Sequence, residues 1–198
     1  MGARTTAAAV EIADAFAAVG LPAPHGFGTL LRDALRLVVV DPPVRDPASE
    51  LTDQELAELR ASGLATQVPA DAYGRAVTRT AARMTAILAD SASAEEVATI
   101  LGVTPARIRQ LLGERALFGI RTGDGWLIPR FQLSGDRPLP DLRAVIAALP
   151  TGIHPVAFHA WFTMPTGTLQ LDGGAVSPRD WLASGGPADQ VAQQASAL

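Results

Sequence analysis

The sequence predicts a mainly α protein, and three observations carry that expectation. Helix-opening signals recur: Thr52 with Glu55 and Ser93 with Glu96 have the capping-box spacing, and Thr104-Pro105 places a capping residue before a first-turn proline. Aromatic residues make up only 5% of a chain that is 48% hydrophobic, so cores of Ala, Leu and Val between helices are expected. One short stretch, residues 117–129, reads as strand, turn and returning strand, as a β-hairpin does. The expected organisation is a helical N-terminal module at 1–90, a helix-turn-helix with a small β-hairpin wing at 91–137, and a helical C-terminal domain at 138–198.

In chain order, residues 5–19 have helical periodicity through Val10, Ile12, Ala13 and Phe16. Gly20 stops that helix, and Pro22 and Pro24 prevent its resumption. A second helix is expected from Phe27 to Val39, followed by a rigid, proline-containing connector at 41–49. The Thr52–Glu55 box opens a short helix that ends near Gly63, and a longer one runs from Ala70 to Ala89. Nothing in residues 1–90 carries chemistry, which leaves scaffold or dimerisation as their role.

Residues 93–113 are the informative segment. Ser93 caps a short helix carrying Val97, Ala98, Ile100 and Leu101, and Gly102 ends it. Thr104-Pro105 opens a second helix that closes at Gly113. Two helices crossing steeply over so short a turn leave room for a small residue at the contact, which Ala98 supplies, and favour a left-handed residue, which Gly102 tolerates. Val97, Leu101, Val103, Ile108 and Leu111 then face one core. Thr104, Ala106, Arg107, Arg109 and Gln110 remain outside, where Arg reads guanine and Gln reads adenine in a major groove.

The wing follows at once. Leu117–Arg121 is expected as a strand, Thr122–Gly125 as a turn and Trp126–Pro129 as the return strand. Arg121 and Arg130 flank it and are candidates for phosphate or minor-groove contact. Trp126 is expected to pin the hairpin to the helices. Double-stranded DNA is the partner these residue types point to.

Composition narrows the other classes. All sixteen basic residues are arginine, and the net charge of −4 argues against a general nucleic-acid coat. An acidic protein binding DNA through one small basic face is expected to be a homo-oligomer. No nucleophile elbow, Walker loop or dinucleotide glycine fingerprint occurs, so no catalytic residue is assigned and an enzyme is not expected. With no cysteine, and with His154 and His159 five positions apart, neither a metal nor a cofactor is expected. No uninterrupted apolar run reaches about 18 residues and the N-terminus lacks a signal-peptide pattern. A soluble cytoplasmic protein is therefore the expectation.

Residues 93–133, through EEVATILGVTPARIRQLL and ALFGIRTGDGWLIPRFQL, resemble the excisionase/MerR-like winged helix-turn-helix group. That resemblance implies DNA binding without a regulon. In the last third, a helix opens at Pro140-Asp141-Leu142, and another near His154-Pro155 carries Val156, Phe158, Trp161 and Phe162. The tail from Trp161 to Leu198 joins this hydrophobic pair through a Leu-containing bridge to Ser177-Pro178, Trp181-Leu182, Gly185 and Val191. It resembles the toxin-binding domain of MbcA/ParS/Xre-type antitoxins. The resemblance implies a RES-domain toxin as partner, with Trp161, Ser177, Trp181 and Leu182 as partner-binding residues and autoregulation of the operon. The alternatives are a transcriptional or phage-type regulator without a toxin, and an interaction adaptor that has lost DNA affinity.

The crossing gives a first test. Ala98→Leu overpacks a helix contact and is expected to lower stability by about 1–3 kcal/mol, measured by thermal denaturation. An unchanged melting temperature would mean that the two helices do not meet at this residue.

Overall fold

The computed structural model describes residues 32–34, 36–38, 52–62 and 70–198. The helix expected at 5–19, the connector at 41–49 and the stop at Gly63 lie outside the described residues. The chain divides into two units, Met1–Thr85 and Ala86–Leu198.

In the first unit, residues 32–34 and 36–38 are helical, with Ala34 and Val38 buried. The Thr52–Glu55 box forms as its spacing predicts: the Thr52 amide donates to the Glu55 carboxylate at 2.8 Å and the Glu55 amide to the Thr52 hydroxyl. It opens α1 (Asp53–Ala61). Helix α2 spans Ala70–Ala89, the predicted limits, and runs across the boundary between the units. Ala81, Met84, Ile87 and Leu88 form its buried stripe, at helical spacing.

After the end of α2, the second unit continues with β1 (Ser91–Ser93), α3 (Ala94–Leu101) and α4 (Pro105–Gly113). Next come β2 (Ile120–Thr122), β3 (Gly125–Pro129), a single 3₁₀ turn at Arg130–Gln132, β4 (Leu133–Ser134) and β5 (Arg137–Pro138). The last part runs α5 (Leu142–Ala148), α6 (Pro155–Thr163), β6 (Thr166–Leu171), β7 (Gly174–Val176), α7 (Pro178–Ala183) and α8 (Ala188–Ala195).

Among the described residues, three small antiparallel sheets make this a mixed α/β protein, which corrects the expectation of a mainly α fold with one hairpin wing. The wing itself has three strands in the order β1-β3-β2. Ser91, Ala92 and Ser93 pair with Pro129, Ile128 and Leu127. Small residues that also cap the next helix carry no alternation, so β1 left no signal of its own. Strands β6 and β7 did leave one. Asp172 and Gly173 both take positive φ, 50° and 80°, as a two-residue hairpin turn of the primed type requires. An Asp-Gly pair after the alternating Thr168-Leu169-Gln170-Leu171 is a hairpin signature that the reading of this segment as a bridge passed over.

An apolar core runs through the second unit from the helix pair to the last helices. It includes Val97, Ala98 and Ile108 of the helix pair, Ile128 of the wing, Val145 and Ile146 of α5, Phe158 and Phe162 of α6, Leu182 of α7 and Val191 of α8. Helix α5 packs on α8, and α6 on α7. Residues 91–137 and 138–198 are therefore joined by one interior, and α8, amphipathic with only Val191 and Ala195 buried, closes it from outside.

Gln132 is fully buried at the centre of this unit. Its carbonyl oxygen accepts from the Phe118 amide at 2.8 Å, and its Nε2 donates to the carbonyls of Phe118 at 2.8 Å and Pro129 at 3.1 Å. A side-chain amide thus serves Phe118 as a neighbouring strand would, which explains why β2 begins at Ile120 rather than at the predicted Leu117. Gln132→Ala leaves the Phe118 amide and carbonyl without this partner in a low-dielectric interior. An unmet buried group costs about 1–3 kcal/mol, so a destabilisation in that range or above is expected in urea unfolding. A loss below the lower bound would mean that solvent already reaches these groups.

Candidate DNA-binding surface

Helices α3 and α4 form the crossing pair. Ser93 and Glu96 complete a capping box, with the Ser93 amide donating to the Glu96 carboxylate at 2.7 Å and the Glu96 amide to the Ser93 hydroxyl at 3.2 Å. The Ser93 backbone bond, then its side-chain bond, holds the Glu96 carboxyl below the usual carboxylate range. Gly102 ends α3 in the left-handed region at φ 64°. The Val103 amide bonds back to Ala98 at 2.9 Å and the Gly102 amide to Thr99 at 3.3 Å, a Schellman closure. Thr104 accepts the Arg107 amide through its hydroxyl, and Pro105 occupies the first turn. Ala98 and Ile108 are buried where the helices meet.

One expectation for this pair needs correction. Val103 was expected in the core but is 39% exposed, at the turn between the left-handed Gly102 and the Thr104 cap. Helix α4 closes at Gly113, as expected, and the left-handed residue that follows is Arg115, at φ 53°, with the Ala116 amide bonded to Leu111 at 2.8 Å. The Arg115 guanidinium donates to the carbonyls of Ile146 and Leu149 at the end of α5. Those bonds to otherwise unpaired helix-end carbonyls offset the strain of a non-glycine residue in that region.

Thr104, Ala106, Arg107, Arg109 and Gln110 are all exposed, as the sequence predicts. At about 100° per residue, Ala106, Gln110 and Gly113 run along the middle of the outer face of α4. Arg107 lies on one flank and Arg109 on the other. Small side chains at Ala106 and Gly113 give this face a low profile, so its backbone can approach a surface closely.

Arg107 and Gln110 are not isolated. Gln110 Nε2 donates to Glu114 Oε1 at 2.7 Å, and Arg107 lies 3.8 Å from the same oxygen. Arg143 of α5 reaches Glu114 Oε2 at 3.4 Å, adding a cation beside α4 that sequence reasoning missed. No sequence signal placed it there, since helix α5 arrives through tertiary packing.

On the wing, Arg121 pairs across the strands with Trp126 and lies over its ring, 5.4 Å from the centroid. This cation–π contact orients the exposed guanidinium. Trp126 is half-buried against the core, as expected of a pin. A β-carbon at Gly119 would fall 2.7 Å from Leu112 Cδ2 and 2.9 Å from Trp126 Cε3, so the absent side chain is what lets the wing seat on α4. Arg130 sits elsewhere: its amide donates to the Asp90 carbonyl, and its charge acts on Glu96 at the start of α3. The two arginines that flank the hairpin in sequence therefore have different surroundings.

The four residues suggested for partner binding also have defined places. Ser177 is buried and caps α7, accepting the Asp180 amide at 3.0 Å and donating to its carboxylate at 2.7 Å. Leu182 belongs to the core. Trp181 is half-buried over Gly186, and its Nε1 donates to the Pro187 carbonyl at 3.1 Å. Trp161 is half-buried beside Phe158 and Phe162. His154 caps α6, and the His159 ring meets Phe131 edge-on. Among the described residues no helix is long and apolar enough to cross a membrane.

Comparison with known proteins adds one neighbour. No family model matches the chain, and no curated protein matches it. The chain is similar to the NMR structure of Rv2175c, at 27% identity and a TM-score of 0.41, over 54% of this chain and 79% of that one.

Proposed function

We propose that this protein binds double-stranded DNA, with α4 in the major groove and the β2–β3 wing against the adjoining backbone. The observation that carries this reading is the outer face of α4. It presents Gln110 between two arginines, with Ala106 and Gly113 keeping the centre low, on a helix held by a glycine-turned partner and followed directly by a hairpin. Arg and Gln are the side chains that read guanine and adenine through paired hydrogen bonds. Arg121, oriented over Trp126, supplies a phosphate contact beside it. One short helix reads only a few base pairs, so the proposal includes a homodimer on a two-fold symmetric site.

The preferred site is to be selected from a random library and then used to compare Arg109→Ala with the unaltered protein. Loss of a paired base contact is expected to cost about 1–3 kcal/mol on the selected site, with little change on random DNA. Equal losses on both would assign Arg109 to phosphate.

The resemblance to MbcA/ParS/Xre-type antitoxins supports a finer form of the proposal. In it, the protein is the antitoxin of a toxin–antitoxin pair, neutralises a RES-domain toxin and represses its own operon. Trp161, half-buried, and Met164, 61% exposed one turn later at the end of α6, are apolar side chains that such a partner would meet. Co-expression with a RES-domain toxin from a neighbouring gene is expected to restore growth. Failure to restore it would leave the transcriptional regulator without a toxin.

A further inference from the structure

We propose that Glu114 makes α4 discriminate between DNA sequences by keeping Arg107 and Arg143 from binding phosphate indiscriminately. This inference rests on the DNA-binding reading above. Both cations lie within ion-pair distance of the one carboxylate, at 3.8 Å and 3.4 Å. The carboxylate is the most enclosed of the three groups: its side chain is 30% exposed, against 45% for Arg107 and 64% for Arg143. It sits at the end of the face that would enter the groove.

Two physical effects follow. A guanidinium paired to Glu114 must break that pair before it can displace counterions from DNA, which weakens the sequence-independent part of binding. The carboxylate itself repels any phosphate that approaches the same end of α4. A base edge with matching donors and acceptors is affected less, because Glu114 also orients the reader. Its bond to Gln110 Nε2 identifies the amide nitrogen and leaves the carbonyl oxygen of Gln110 as the acceptor not engaged by Glu114. Glu114 thus lowers binding to arbitrary sequence while pre-setting the side chain at the centre of the face.

Glu114→Gln preserves shape and hydrogen-bonding capacity while removing the charge. Binding of the full chain to a short random-sequence duplex is to be followed by fluorescence anisotropy across a salt series. The same series is run for Glu114→Gln and for Glu114→Gln combined with Arg107→Ala. With Glu114→Gln, affinity for random DNA is expected to rise about ten-fold at low salt, and the salt dependence to steepen by about one to two phosphate contacts. Adding Arg107→Ala should remove about one of those contacts. If the unaltered protein binds and Glu114→Gln matches it in affinity and slope, this inference is wrong while the DNA-binding reading stands. If neither protein binds any duplex, both are wrong.

Discussion

The second unit depends on the burial of Phe158. This ring has no exposed surface, and it is met by Phe118 at 4.8 Å, Phe131 at 5.5 Å and Phe162 at 5.2 Å between centroids. Phe118 and Phe131 belong to the segment around the wing, whereas Phe158 and Phe162 come from α6. A two-helix crossing with a three-stranded wing offers only a small apolar surface of its own, and small cores are marginal against the ordering of the backbone. The C-terminal helices supply the missing wall.

Polar bonds hold the same junction in register. Gln132 closes the backbone at Phe118, Arg115 closes the end of α5, and Arg179 donates to the Phe131 carbonyl at 3.0 Å. Each joins groups far apart in sequence, and each meets carbonyls that the local secondary structure leaves open. Apolar packing is tolerant of sliding, while these bonds are directional and allow few arrangements. The outcome for the proposed surface is rigidity behind α4. The helix is backed by Ala98 and the core, seated on Trp126 at one side, and flanked by Arg143 from α5 at another.

The electrostatics of the molecule bear on how the proposed surface would act. Its net charge is −4, and Glu114 stands among the cations of the outer face. Asp124 lies exposed in the turn of the wing, so a backbone contact there falls to Arg121 on the strand rather than to the turn itself. Affinity in such a protein would come from a few well-placed contacts, so that bases rather than backbone charge decide where it binds.

Local chemistry was legible in the sequence alone. The Thr52, Ser93 and Thr104 caps, the left-handed Gly102, the limits of α2 and the exposure of Arg107, Arg109 and Gln110 are settled by residues within a few positions of one another. Their hydrogen bonds span one helical turn, so spacing suffices to predict them. The mixed α/β class was only partly legible: Asp172-Gly173 announced its hairpin, but Ser91–Ser93 becomes a strand solely because β3 lies beside it. Tertiary structure alone decided that Arg115 takes the left-handed position, since its compensation comes from carbonyls more than thirty residues away. It also decided that Gln132 acts as a strand and that Arg143 joins Arg107 at Glu114. A buried amide and a shared ion pair are defined by what surrounds them, and those surroundings exist only once the distant helices have packed.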